Sequence, residues 1–242
     1  MRWSRTAWGV VAVIVLALAV AGAASAAKKA RDHVWVRPDF ATLRVGRIAF
    51  LPVTSYDNNI QTENSVEASL GPAFKGIGYR WLSGTTTREL LRSKTGGDSL
   101  LKTLRAGVLA QGRLDSLHAP GLASMLRCDA VLTVRVDQYE RHEPEWNVAG
   151  KSYTTVQLRS ALVDSSGRLL WTASGTQTGE GSYYDPNTNP VAVSDKGLER
   201  KLVSGQAGAP PFGEVLALLS VRWATLFPAP PAAAADSAVA PR

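Results

Sequence analysis

Between Cys128 and Glu180 apolar and polar residues alternate for most of the length, interrupted by two clusters of turn-forming residues. Ala130, Leu132, Val134 and Val136 alternate with Val131, Thr133, Arg135 and Asp137. A period of two predicts a half-buried strand over 130–139. A second strand is predicted over 153–164, with Val156, Leu158 and Leu162 on one face and Gln157 and Arg159 on the other. Asp164-Ser165-Ser166-Gly167 then makes a tight turn, because Asp opens such turns through its side chain and Gly accepts positive φ. The third strand, 168–178, carries Leu169, Trp171 and Ala173 inward. The three form an antiparallel meander whose apolar face has to be covered.

The upstream half supplies both cover and further strands. Arg47-Ile48-Ala49-Phe50-Leu51-Pro52-Val53 is an apolar run that predicts a strand buried on both faces, hence a central one. Pro52 removes a donor near its end, and 54–63 reads as a polar loop. Val66, Leu70, Phe74 and Ile77 predict a helix over 65–77, kinked or delayed by Gly71-Pro72. Residues 79–82 suit a short strand. Thr86 and Glu89 form a capping box ahead of Leu90-Leu91. After Gly96-Gly97, Asp98 caps a second stripe of Leu100, Leu101, Leu104 and Val108, and a short helix over 121–126 leads into the meander. The closing helix is 212–227, with Phe212, Val215, Leu216, Leu219, Trp223 and Leu226 on one broad side. The fold class expected is α+β: a mixed sheet with a C-terminal three-strand meander, helices packed on it, and a closing helix.

The ends read differently. Arg2 and Arg5 precede an apolar run over 7–22, and Ala24-Ser25-Ala26 gives a small-x-small cleavage pattern. Residues 1–26 are therefore expected to be a signal peptide. The run lies near the lower limit of about 17 residues for a span, so an uncleaved anchor is the alternative. Residues 27–44 form a basic lead-in, in which Val34-Trp35-Val36 suits an edge strand stopped by Pro38. The domain proper is placed at 45–227, and the Pro- and Ala-rich tail 228–242 is expected to be disordered.

One cysteine, Cys128, excludes an intramolecular disulfide and reads as a small buried hydrophobe. It stands far from the signal, where a lipoprotein would need it, so the expected location is the periplasm without a lipid anchor. The chain carries a net charge of +7, and removing Arg2 and Arg5 leaves +5. This mild, scattered excess gives weak attraction to peptidoglycan, lipid headgroups or acidic polysaccharide. The basic residues do not cluster with aromatics as a nucleic-acid module requires.

Signatures of chemistry fail on spacing. Asp185, Asn187 and Asn189 copy the start of a calcium loop, but Pro190 and Lys196 stand where Gly and Glu are needed. His142-Glu143-Pro144-Glu145 lacks a second histidine. There is no Gly-x-Ser-x-Gly, Gly76-Ile77-Gly78 lacks the third glycine of a dinucleotide loop, and no Walker sequence occurs. No catalytic residue, metal or cofactor is expected.

Three stretches carry a resemblance. They are Arg47 to Val53, with its Leu-Pro ending; Leu126-Arg127-Cys128-Asp129-Ala130-Val131-Leu132, with Asp-Ala-Val-Leu entering a strand; and 162–171, an Asp-x-x-Gly turn followed by an apolar pair and Trp. In this order they resemble the bacterial envelope family that includes the curli secretion protein CsgG, the penicillin-binding-protein activator LpoB and the exopolysaccharide protein PelC. The resemblance spans 45–227. It implies a compact α/β domain, related in shape to the anticodon-binding fold, that acts by protein contact at the outer membrane. The chain departs from the family in lacking the lipid-bearing cysteine. Loop 181–210 also shows no sustained alternation, so a pore built from amphipathic hairpins is not expected.

The expected function is thus that of a non-enzymatic exported envelope protein acting by protein–protein contact in outer-membrane or cell-wall assembly or secretion, with an exported hydrolase of unrecognised site as the alternative. The contact surface is assigned to loops 140–151 and 181–210, through Arg141, Trp146, Tyr183 and Tyr184, since aromatics on exposed loops suit a contact surface, with packing of these aromatics over the sheet edge as the alternative. The partner expected is an envelope protein or further copies of the chain. Peripheral membrane contact is compatible with the charge, and neither nucleic acid nor a small-molecule substrate is indicated.

Overall fold

The computed structural model describes residues 32–145, 148–185 and 208–230. Their centre is the meander: β5 (Ala130–His142), β6 (Gly150–Asp164) and β7 (Leu169–Tyr184). Upstream come β1 (His33–Val36), β2 (Arg47–Phe50), β3 (Thr54–Ser55) and β4 (Arg80–Leu82). The helices are α1 (Ile60–Lys75), α2 (Gly84–Arg92), α3 (Gly97–Gln111), α4 (Ala119–Leu126) and α5 (Phe212–Leu226). All seven described strands join one mixed sheet in the order β1-β7-β6-β5-β2-β4, with β3 also pairing β5. The meander is antiparallel, β2 is parallel to both β4 and β5, and β1 closes the far edge antiparallel to β7. The fold is α+β, as the pattern of elements predicts.

Both faces of the sheet are covered. On one, α1 and α5 bury Val66, Leu70, Phe74, Leu216, Leu219 and Trp223 against Leu132, Leu158 and Trp171. On the other, α2, α3 and α4 bury Leu91, Leu104 and Leu122 against Ala49, Leu51, Val131 and Val163. The half-buried expectation for β5 therefore fails over its first half. Val131 and Thr133, on the alternate face, are buried beneath the second helical layer.

Several boundaries move, each for a local reason. The strand expected over 47–53 is split. Leu51 N–H still donates to Leu132 O (2.9 Å), but Pro52 has no N–H to continue the ladder. The chain resumes pairing with β5 at Thr54–Ser55, inside what was expected to be loop. α1 starts at Ile60, well before residue 65, because the Asn59 side chain accepts from the N–H groups of Gln61 and Thr62. Pro72 lies inside this helix, and both it and Ala68 are exposed. The Ala68 carbonyl that Pro72 leaves unpaired can thus be met by water.

The cap of α2 is Ser83, whose hydroxyl accepts from Thr86 N–H at 3.1 Å, so Thr86 is not the cap. α3 is capped by Gly96 in the left-handed region, and Asp98 in the first turn pairs with Arg92. α4 begins two residues early, at Ala119, with Pro120 in its first turn.

Two side chains point the opposite way from expectation. Leu169 faces the α2–α4 layer with Val163, because a register shift at Leu162/Val163 puts Leu170 out of step between Leu169 and Trp171. A one-residue slip exchanges faces. Leu226 on α5 is 41% exposed, and Phe227 fills the core position instead. Phe227 meets Trp171 at 4.7 Å and Phe74 at 5.3 Å between ring centroids. Trp171 Nε1–H donates to Leu226 O at 3.3 Å, fixing the end of α5 to the sheet.

The residues that carry the resemblance have structural duties. Asp129 Oδ2 accepts from the backbone N–H of Gly46 (2.9 Å) and Arg47 (2.8 Å), which aligns the start of β2 with β5. Asp164 Oδ1 accepts from Ser166 N–H and Arg168 N–H, both at 2.9 Å, and Oδ2 from Arg168 Nε–H at 2.8 Å. Gly167, at φ +84°, completes that turn against Ser116.

Candidate functional site

The expected contact surface lies at the far end of the meander. β5 runs past Val136, the last residue that β3 pairs, to His142. β6 and β7 accompany it, so a three-strand ribbon projects beyond the parallel part of the sheet. Strands of 13, 15 and 16 residues build this extension, long against a mode of about 5–6.

Its inner side is held by the start of α5 and the segment before it. Tyr139 stacks on Phe212 at 3.8 Å between centroids. The Thr154 hydroxyl donates to Pro210 O. A Cβ on Gly181 would lie 2.5 Å from Gly208 O and collide with it, and one on Gly179 would press against Pro210 at 3.1 Å.

Of the four assigned residues, three lie at this end. Arg141 is the penultimate residue of β5 and its Nη2–H donates to Glu143 Oε1 at 2.9 Å. Tyr183 and Tyr184 are the last residues of β7, paired with Lys151 and Gly150, so they sit on a strand and not on the expected loop. Tyr183 is 56% exposed whereas Tyr184 is 7% exposed, which leaves Tyr183 as the aromatic presented outward. Trp146 lies outside the described residues, as does most of loop 181–210 and with it Asn187 and Asn189. Sequence reasoning missed Tyr153 and His142, stacked at 4.9 Å, and Val148, 50% exposed. The alternation of β6 carries on to Tyr153, and that was the available signal. Lys151 pairs with Glu180 at 3.0 Å, so the aromatics stand among neutralised charges.

A second constellation is His118 with Asp115. The imidazole Nδ1 lies 2.8 Å from both carboxylate oxygens, and the His118 backbone N–H donates to Oδ1 at 2.8 Å. Burial works to raise the Asp115 carboxyl, and the hydrogen bonds from His118 outweigh it, so its pKa falls below the ordinary value. The pair sits at the start of α4, where His118 is the cap residue. Among the described residues no serine hydroxyl or thiol is hydrogen-bonded to this imidazole.

Cys128 is 7% exposed, and burial pushes its thiol up to about 11, which suppresses the thiolate. Among the described residues no three histidine, cysteine or acidic side chains gather as a metal site would need. No helix among them is long and apolar enough to cross a membrane.

No family model matches the sequence, and no curated protein matches it. Similar solved structures include lipoprotein GNA1162 from Neisseria meningitidis, 18% identical, covering 59% of this chain and 89% of that one with a TM-score of 0.43. The PelC dodecamer from Paraburkholderia phytofirmans is 16% identical, covering 62% and 81% with a TM-score of 0.39. The hypothetical protein CT253 from Chlamydia trachomatis is 12% identical, covering 57% and 73% at 0.33. These overlaps are partial, and the fold described above rests on its own strands and helices.

Proposed function

We propose that this chain is a non-enzymatic, exported bacterial envelope protein that works by protein–protein contact through the end of its meander ribbon. One observation carries the reading. The ribbon outruns the parallel strands and ends in Tyr183, Tyr153 and Val148, respectively 56%, 37% and 50% exposed, beside the ion pairs Arg141–Glu143 and Lys151–Glu180. Amphipathic aromatics exposed at the tip of a rigid element are what contact surfaces use. The signal-like N-terminus and the resemblance carried by 47–53, 126–132 and 162–171 support the envelope assignment and the periplasm as its location.

The test is photo-crosslinking in intact cells, with a photoreactive residue at position 183 or 148 and a control at Leu117, which is 83% exposed away from the ribbon on the approach to α4. A defined adduct is expected from 183 and 148 and not from 117. Equal labelling at all three positions, or recovery of the protein from the cytoplasm, would overturn the reading.

The alternative, an exported hydrolase, has its foothold in His118–Asp115. It requires an activity on ester or amide substrates that His118→Gln abolishes while leaving the ribbon adducts intact.

A further inference from the structure

The parallel part of the sheet has a feature that the contact reading does not use. From β2 the chain crosses to β4 through α1 on one face, then from β4 to β5 through α2, α3 and α4 on the other. The connections leave β2 and β4 toward opposite faces, and such divergence opens a crevice outside the carboxyl ends of the strands, where open α/β sheets take up ligands. Two adjoining cavities of about 390 and 590 Å³ lie here, each within the size range of small-molecule sites. The first is floored by Leu51, Val53 and Leu104; the second is walled by Phe50, Phe74 and Trp81; and Arg88 of α2 lines both.

The charges around the crevice are unequally satisfied. Glu63, whose side chain is 2% exposed, is held by Arg105 and accepts from Ser55 N–H at 3.0 Å. Asp98 is taken by Arg92 at 3.0 Å. Glu67 accepts from Thr85 N–H (2.9 Å) and its hydroxyl (3.3 Å), so the start of α2 already has its anion. Arg88, half-buried, and Lys102 line the first cavity, and among the described residues neither has a carboxylate partner. The buried indole N–H of Trp81, on the second cavity, also lacks an acceptor there. A half-buried guanidinium without a counter-charge, above an apolar floor, calls for a ligand that brings both an anion and an apolar body.

We propose that this crevice binds a small soluble amphiphilic anion, an apolar chain or ring carrying one carboxylate or phosphate, with Arg88 and Lys102 receiving the charge and Leu51, Val53 and Leu104 the apolar part. Neutral amphiphiles and bare anions each satisfy half of the site and bind weakly. The site stands apart from the ribbon end, so its failure leaves the contact reading untouched.

The experiment is calorimetric titration of the full chain at low salt with octyl phosphate below its micelle concentration, octanoate, inorganic phosphate and octyl glucoside. Octyl phosphate and octanoate are expected to bind at least about tenfold more tightly than inorganic phosphate or octyl glucoside. Arg88→Gln and Lys102→Gln should each weaken octyl phosphate by about tenfold or more with thermal midpoints unchanged, while Arg113→Gln has no effect. Equal affinity for octyl phosphate and octyl glucoside, or wild-type affinity in both variants, overturns the proposal. A flotation arm with phosphatidylglycerol vesicles separates the sources. Arg88-dependent flotation without any octyl phosphate titration would assign the anion to a membrane surface and also overturn it.

Discussion

At Asp164 the burial penalty and the hydrogen bonds oppose each other. Burial pushes the carboxyl up, but donation from Ser166 and Arg168 wins and its pKa lies below the ordinary value. A lowered native pKa means that the ionised form stabilises the fold above the unfolded pKa, with the contribution lost as pH falls through the native one. Asp164→Asn should therefore cost about 1–3 kcal/mol at pH 7, and its deficit against wild type should shrink below about pH 4; urea titrations at several pH values measure both. Glycines separate by the space around them. A Cβ on Gly97 would lie 1.9 Å from the Leu91 carbonyl oxygen, whereas one on Gly213 meets nothing within 4 Å. Gly97→Ala should destabilise by about 1–3 kcal/mol, and Gly213→Ala should stabilise by about 0.5–1 kcal/mol, read by thermal unfolding. Cys128, with its thiol raised to about 11, should resist a disulfide reagent at pH 8 until the chain is unfolded. Asp129, Asp164 and Gly167 were visible in the sequence as strand-entry and turn signals. The partners of Asp129 and Gly167 were not, because Gly46 and Ser116 meet them only after the chain has folded back.

Among the elements, period decided what could be read. β5, β6 and β7 alternate over most of their length, and α5 repeats at helical spacing, so the meander and its closing helix were legible. β3 was not, since two residues after a proline have no period to show. The start of α1 was hidden because its first turn, Ile60 to Glu63, belongs to a cap and an ion pair instead of the apolar stripe. The face of Leu169 was lost to a bulge that no spacing rule reveals. Orientation of α5 is testable on adjacent leucines: Leu219 is 0% exposed and Leu218 60%. Leu219→Ala should cost about 2–5 kcal/mol and Leu218→Ala within about 0.5 kcal/mol, measured by chemical denaturation. The candidate site was half legible for the same reason. Arg141 and Tyr183 stand where the assigned loops begin, but strand length carried them onto the ribbon and turned Tyr184 inward.

Across the whole molecule, sequence-distant segments close the structure. Arg222 of α5 reaches Asp32 with Nη2–H donating to Oδ1 at 2.9 Å, and its Nη1–H donates to Gln177 Oε1. The Asp32 side chain is only 8% exposed, so Arg222→Ala leaves a sequestered carboxylate without its counter-ion and should cost about 3 kcal/mol. Asp32→Asn in that background should recover part of the loss, a double-mutant cycle in thermal unfolding. The order of synthesis then matters. The strand wall bearing Leu158 and Trp171 is complete once Tyr184 has been made, yet α5, which roofs it together with α1, comes only after it in the chain. Until α5 leaves the ribosome, the nascent chain keeps a greasy, half-roofed flank exposed to the cell's quality-control machinery, and this domain cannot finish folding.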